Sequence, residues 1–249
     1  MAVTLGYWDL RGLGQPIRFL LQYVGIAFTD VRYRIGHNWT DPDLREDWLR
    51  VKWDLGLDFP NLPYYIEGEL KLTHSRTILR YLGSKHGLCG QTDAEKTRID
   101  MIENYMEDMR NDGLRHVVYS PNYMEDMRND GLRHVVYSPV FDPKLDFETL
   151  KAEYISKMGS YLREISNFLD TFEWMAGNRL TFVDFWVYEV LDWNRLFRSD
   201  CLNECHNLLQ YMNRFEALPP INRYINSDQF NRFPIFAPYA RFGGQPHPD

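Results

Sequence analysis

The first third of the chain alternates apolar strand-like runs with helix-like patterns. Residues 3–8 form a mostly apolar run that is typical of a buried strand. After a glycine-bearing loop, apolar side chains recur at helical spacing over residues 17–24, and Gly25 is a favourable residue for the helix end. Residues 28–35 alternate as a second strand, and residues 44–52 predict a short helix.

Residues 58–75 contain two prolines, a hairpin pattern and the start of a helix. Pro63 has no N–H to donate to a sheet, so it belongs at the first residue of a strand. A cis bond before Pro63 would turn the Leu62 backbone outward, where an extended peptide can pair with it. Ser75 opens the helix, and its hydroxyl and the bare helix N–H groups would attract an anion. The same residues also fit an ordinary hairpin followed by a helix.

These elements follow the order β-α-β-α-β-β-α, which predicts an α/β, thioredoxin-like domain over residues 1–87. Residues 88–249 contain helical patterns, except for an irregular tail from Phe230, so the second domain is predicted to be all-α. Thr92 and Thr181 each stand three residues before an acidic side chain, which is the spacing of a helix capping box. Further helices are predicted around residues 147–171, 182–197 and 206–215.

The second domain contains a perfect tandem repeat. Residues 104–121 recur unchanged as residues 122–139, so the period is 18 residues. This period keeps the phase of an α-helix, but Pro121 opposes a continuous helix. Because the long helix starts at Thr92, the first copy is predicted to keep its register, with the second copy as an excursion. The reverse arrangement stays open, as do a recent duplication and an error of gene assembly.

The composition is that of a globular protein, with 44% hydrophobic and 25% charged residues among 249. A net charge of -7 disfavours a nucleic-acid partner, because such partners select basic surfaces. No apolar run is long enough to span a bilayer, so no membrane association is expected.

Cysteine content indicates a reducing compartment, since the three cysteines cannot form a disulfide scaffold. Cys201 and Cys205 are four residues apart with His206 beside them. A metal site needs more ligands than these, so none is predicted.

Four runs, residues 6–13, 47–49, 55–64 and 176–185, closely resemble the mu class of cytosolic glutathione transferases. The resemblance implies a cytoplasmic homodimer that adds the glutathione thiolate to hydrophobic electrophiles, with no further cofactor. Phe59 resembles the aromatic side chain that enters the partner subunit in this class. Two other functions remain for such a fold: a non-catalytic carrier of apolar ligands, and a structural protein.

By the same resemblance, Tyr7 is the catalytic residue. A free thiol is only a few per cent ionised at pH 7, and a hydroxyl donor directed at the sulfur would raise that fraction. The other glutathione-binding residues implied by the resemblance are Trp8, Leu13, Arg45, Trp48, Lys52, Asn61, Leu62, His74, Ser75 and Asp108.

The charges among these residues suit the ends of glutathione. Arg45 and Lys52 would bind the glycyl carboxylate, and Ser75 at the helix start would bind the γ-glutamyl carboxylate. Asp108 resembles the carboxylate that the class supplies to the γ-glutamyl amine across the dimer. One position departs, since His74 stands where the class has glutamine, and histidine titrates near neutral pH.

The resemblance also implies an apolar site for the electrophile, beside Tyr7 and Leu13. Tyr119 and Phe236 would complete it. The repeat supplies a rival copy of two site residues, because Asp126 repeats Asp108 and Tyr137 repeats Tyr119.

Overall fold

The computed structural model describes residues 2–36, 43, 45–114, 147–238, 240 and 242–244. Its strands are β1 Val3–Trp8, β2 Phe28–Tyr33, β3 Tyr64–Glu67 and β4 Leu70–Thr73. Its helices are α1 Gln15–Tyr23, α2 Glu46–Leu49, α3 Ser75–Lys85, α4 Asp93–Gly113, α5 Phe147–Leu169, α6 Phe182–Phe197, α7 His206–Ala217 and α8 Pro219–Ile225. Over these ranges, no helix combines the length and the apolar character that a bilayer crossing requires.

The four strands form one mixed sheet in the order β2-β1-β3-β4. Strand β1 is parallel to β2 and antiparallel to β3, and β3 is antiparallel to β4. Gly6 in β1 lies opposite Tyr64 in β3, and a Cβ on Gly6 would be 2.1 Å from the Tyr64 ring. With α1 and α3, this sheet confirms the thioredoxin-like prediction for the first domain.

Helix α1 ends where the sequence predicts. Gly25 has a φ of 71°, a backbone conformation that favours glycine. The N–H of Ile26 then donates to the carbonyl of Leu21 at 3.1 Å, which completes a Schellman motif. The chain is thereby turned toward β2.

Two elements are shorter than predicted. Helix α2 has only four residues, because the backbone after it continues in three-residue turns, with the Val51 N–H donating to the Trp48 carbonyl at 3.1 Å. Strand β2 ends at Tyr33, whose carbonyl accepts from the N–H of Asp9 at 2.8 Å. Since β1 ends at Trp8, no further rung of the ladder can form beyond this bond.

Both predicted capping boxes are present. At the start of α4, the Thr92 Oγ1 accepts from the Glu95 N–H at 3.2 Å, and the Glu95 carboxylate accepts from the Thr92 N–H at 3.0 Å. At the start of α6, the carboxylate of Asp184 accepts from the N–H and the hydroxyl of Thr181 at 2.8 and 3.0 Å. These bonds satisfy backbone donors that helix starts otherwise leave unpaired.

Helix α4 continues without interruption into the first copy of the repeat. Met106 and Met109 are fully buried. Gly113 faces α6 so closely that a Cβ there would be 2.3 Å from the Trp193 ring. The first copy therefore supplies core residues of α4 as far as the description extends, whereas residues 115–146 lie outside the described ranges.

The sheet and the helical domain share one hydrophobic core. Phe19 of α1 makes edge-to-face contacts with Tyr188, Phe215 and Tyr224, at centroid distances of 5.4, 5.7 and 5.6 Å. Such pairs add to the stabilisation from burial alone. A second, smaller cluster surrounds Tyr7 at the other end of the sheet.

Candidate functional site

Tyr7 lies near the end of β1 and has 6% of its surface exposed. Its hydroxyl accepts a hydrogen bond from the N–H of Leu13 at 3.1 Å. An added Cβ on Gly12 would be 2.7 Å from this hydroxyl oxygen, and one on Gly14 would be 2.6 Å from the ring. The loop after β1 thus packs directly on Tyr7, and its two glycines allow that approach.

The environment keeps the Tyr7 phenol protonated. Burial raises its pKa, while the bond from Leu13 and the positive charges of Arg110 and Arg18 partly offset this rise. At neutral pH the phenol therefore retains its proton. It is equipped to donate a hydrogen bond to an anion.

A buried ion pair ties the Tyr7 loop to the helical domain. The Arg11 guanidinium donates to Glu189 at 2.7 Å and to Asp192 at 2.6 Å, and both carboxylates belong to α6. Burial raises the pKa of Glu189. Burial also acts to raise the pKa of Asp192. The positive charges of Arg11 and Arg195 have the larger combined effect, so the pKa of Asp192 lies below its usual range. The loop is therefore anchored by charges that cannot reach solvent.

The C-terminal segment also holds this loop. The carbonyls of Pro234 and Ile235 accept from the N–H groups of Arg11 and Gly12, both at 3.0 Å. Phe236 follows directly, is 4% exposed and packs edge-on against Trp193 at 5.6 Å. Phe236 is thereby placed beside the backbone that contacts Tyr7.

Aromatic side chains make up much of the Tyr7 cluster. Trp48 stacks on Tyr64 at 6.1 Å and meets Tyr33 edge-on at 5.5 Å, and the hydroxyls of Tyr33 and Tyr64 are 2.9 Å apart. Five of the predicted glutathione-binding residues belong to this cluster or pack against it: Tyr7, Trp8, Leu13, Trp48 and Leu62. Residues from distant parts of the sequence thus converge on one side of the fold.

The backbone of Leu62 is arranged by its neighbours. The Leu62–Pro63 peptide bond is cis, and the Leu62 N–H donates to the Asn61 side chain at 2.9 Å. Strand β3 begins at Tyr64, so Leu62 lies beyond the ladder with β1. An extended ligand would compete with Asn61 for this N–H.

His74 and Ser75 form the turn into α3. His74 has a φ of 66° and a ψ of 114°, which is unusual for a residue other than glycine, and its side chain is exposed. Such conformations cost about 1–3 kcal/mol and cluster at functional sites. Ser75 is the first residue of α3 and is 8% exposed, close to the bare N–H groups of the helix.

The remaining predicted residues lie at the edges of the cluster or outside the described ranges. Arg45 and Lys52 flank α2, and the Lys52 ammonium is 4.9 Å from the ring centre of Trp53. Asp108 is an exposed residue of α4, and no contact recorded for the described residues joins it to the Tyr7 cluster. Positions outside the description are Tyr119, Asp126 and Tyr137.

Sequence reasoning missed the ion pair that holds the Tyr7 loop. The sequence does contain a signal for it, because Glu189 and Asp192 are three residues apart and interrupt the apolar stretch of residues 185–193. Acidic side chains in the middle of a buried helix, away from its capping position, favour a buried cation as partner. The pattern does not identify that cation as Arg11, which lies 178 residues before Glu189.

Comparisons with known proteins agree over nearly the whole chain. The family profile described as "Glutathione S-transferase, N-terminal domain" matches residues 3–84, and "Glutathione S-transferase, C-terminal domain" matches residues 126–228. "Glutathione S-transferase Mu 3" of Homo sapiens is 42% identical over 98% of this chain and 97% of its own length. "Glutathione S-transferase 2" of Gallus gallus is 44% identical over 95% of both chains.

Solved structures give the same result. The crystal structure of the glutathione S-transferase Blo t 8 has a TM-score of 0.77 and 31% identity, and the match covers 96% of this chain and 99% of that one. A Pi-class glutathione S-transferase of Onchocerca volvulus has a TM-score of 0.71 at 23% identity, over 96% and 100% of the two chains.

Proposed function

The chain belongs to the glutathione S-transferase family, and we propose that it joins glutathione to hydrophobic electrophiles at Tyr7. The observation that carries this assignment is the buried Tyr7 phenol, hydrogen-bonded by the Leu13 N–H beside the aromatic cluster. Its raised pKa leaves a proton available for donation. A neutral donor of this kind stabilises a sulfur anion without adding charge to the site.

The reaction needs only a thiolate and a leaving group or an activated double bond. With an aryl chloride, the glutathione sulfur attacks the ring carbon, a C–S bond forms and chloride departs. The thiol proton is released to solvent before the attack. Tyr7 stabilises the sulfur anion by hydrogen bonding and keeps its own proton, so no cofactor enters the scheme.

Glutathione would lie along the cluster, from α2 to the start of α3. Arg45 and Lys52 would pair with the glycyl carboxylate, and Leu62 would pair with the cysteinyl backbone. At the other end, Ser75 and the α3 N–H groups would receive the γ-glutamyl carboxylate. The unusual backbone at His74 supports this placement, because such conformations cluster at functional sites.

One assay tests the function directly. Conjugation of 1-chloro-2,4-dinitrobenzene is followed by absorbance, with capture of the protein on immobilised glutathione alongside. We expect both turnover and capture. Capture without turnover would favour the non-catalytic carrier, and the loss of both would favour a structural role.

His74 should make glutathione affinity depend on pH. Protonation of a histidine beside the γ-glutamyl carboxylate adds an attractive charge that glutamine cannot supply. The affinity of the parent relative to that of His74→Gln should therefore rise about threefold between pH 8 and pH 5, and the ionisation of the thiol, common to both proteins, cancels in this ratio. Calorimetric titration of the parent and of His74→Gln would measure this, because glutamine cannot titrate. A ratio of the two affinities that stays constant across this pH range would contradict the assignment.

We also propose a homodimer in which Phe59 enters the partner. Its ring is 72% exposed, although it follows the buried residue Leu57 closely. Helices α4 and α5 line an open cavity of about 150 Å³. Its lining is mostly apolar: Met101, Ile102, Tyr105, Glu164, Ile165 and Phe168. In a single subunit the Phe59 ring is exposed. In a dimer it would be buried in this cavity of the partner. The exposed carboxylate Asp108, also on α4, would complete the partner's glutathione site.

Phe59→Ala should shift the protein toward monomer. Burial of such a ring contributes roughly 1.5–3 kcal/mol, and a dimer would lose that twice by symmetry. Light scattering over a dilution series measures the change. Trp53→Ala is the matched control, since Trp53 is 73% exposed and lies on the same segment. Equal dissociation of both variants would show that Phe59 has no special role.

The proposal also includes a domain boundary near residue 87 and a cytoplasmic location. Helix α3 ends at Lys85 and α4 begins at Asp93, which supports a boundary near residue 87. A cytoplasmic location fits the three cysteines, all of which are unpaired.

A further inference from the structure

One face of α6 supports the electrophile side of the proposed site. Trp186, Glu189 and Trp193 are spaced three and four residues apart, so they align along this face. Glu189 holds Arg11 of the Tyr7 loop, and Trp193 packs against Phe236. A side chain placed on this face therefore lies close to the groups that would receive the electrophile.

Arg110 of α4 is placed there. Its guanidinium carbon is 5.7 Å from the ring centre of Trp186. One turn further along α4, Gly113 meets Trp193. Arg110 is half-buried, so a charge on a ligand would interact with it more strongly than across open solvent.

The carboxylates around Arg110 have other partners. Those of α6 bind Arg11, as described above. On α4, Glu107 accepts from Asn111 at 3.3 Å, and Asp112 is 3.4 Å from the ammonium of Lys157. Within the described part of the chain, Arg110 forms no ion pair, and its positive charge extends to Tyr7, where it lowers the pKa of the phenol.

We propose that Arg110 selects electrophiles that carry a carboxylate or a similar anionic group on an otherwise apolar body. This inference rests on the proposed function at Tyr7. Arg110 packs on Trp186 of α6, whereas the groups assigned to the glutathione carboxylates belong to other elements: Ser75 begins α3 and Lys52 follows α2. The charge of Arg110 is therefore available to the second substrate.

The test compares two aryl chlorides that differ in one charge, 4-chloro-3-nitrobenzoate and its methyl ester. The ratio of kcat/KM for the acid to that for the ester is measured in the parent and in Arg110→Met. Methionine keeps an apolar stem and removes the charge. We expect the ratio to fall about tenfold in this variant, as for loss of a charge-assisted contact, and to be largely kept in Arg110→Lys.

Controls separate this inference from the assignment of the site. Arg223→Met removes an exposed arginine of α8 and should leave the ratio unchanged. An unchanged ratio in Arg110→Met, or a rise in the KM for glutathione that is equal with both electrophiles, would overturn the role of Arg110. If Arg110→Met does not fold, Arg110→Gln gives the same comparison. If the parent conjugates 1-chloro-2,4-dinitrobenzene but not the acid, the role of Arg110 fails; if it conjugates none of the three compounds, the proposed function itself fails.

Discussion

Tyr7→Phe should lower kcat about 100-fold or more while glutathione still binds. The change removes only the hydroxyl, which is the group expected to stabilise the thiolate, and loss of one such donor typically costs 10²–10³ in rate. The ring stays, so the packing of Gly12 and Gly14 on it is kept. Glutathione affinity should change little, since its carboxylates are assigned to other residues.

Three measurements together decide the role of Tyr7: kcat, glutathione affinity, and the ultraviolet absorbance of the bound thiolate across pH. The bound thiol of Tyr7→Phe should ionise at a higher pH than that of the parent. Tyr65→Phe is the control, because Tyr65 is fully buried in the same sheet and its hydroxyl bonds to Glu67, remote from the loop. Parent-like turnover in Tyr7→Phe would remove Tyr7 from the mechanism.

Local patterns predicted most of the fold. Apolar alternation and helical spacing produced the order of strands and helices, and Thr92 and Thr181 gave two helix starts correctly. The short helix Pro219–Ile225 was not predicted. It has only seven residues and opens on two prolines, so its signal is that of a turn as much as of a helix.

Local patterns predicted far less of the candidate site, because they do not show which residues come together. Nothing in the spacing of Tyr7, Trp48 and Leu62 shows that they meet, because sheet pairing and loop packing bring them together. Their assignment came from the resemblance to a family. The ion pair of Arg11 was not predicted for the same reason, since a contact between residues far apart in the sequence produces no periodic pattern.

The repeat remains a prediction in part. Helix α4 begins after the Thr92 cap and includes residues 104–113 of the first copy. The family profile for the C-terminal domain, however, begins at residue 126, inside the second copy. The two observations concern different ends of the repeat, so the choice between Tyr119 and Tyr137 is still open to experiment.

Glu189→Ala should destabilise the protein by about 3–5 kcal/mol. The substitution leaves the Arg11 guanidinium buried with one of its two carboxylates lost, and removal of one partner from a buried ion pair has costs of this size. Urea unfolding, followed by tryptophan fluorescence, measures the change in the free energy of unfolding. Turnover should also fall in the folded fraction, since Arg11 anchors the loop whose Leu13 N–H contacts Tyr7.

A surface pair and a double variant show whether charge is the cause. Arg198→Ala breaks an exposed pair with Asp200 and should change stability by less than about 1 kcal/mol. Arg11→Met combined with Glu189→Leu removes both charges, and Asp192 keeps its ion pair with Arg195 at 2.6 Å. The double variant should therefore be more stable than Glu189→Ala alone, because no buried charge is left without a partner. If the double variant is instead less stable than Glu189→Ala, the two sites act through packing volume. The link between the Tyr7 loop and α6 would then be steric rather than electrostatic.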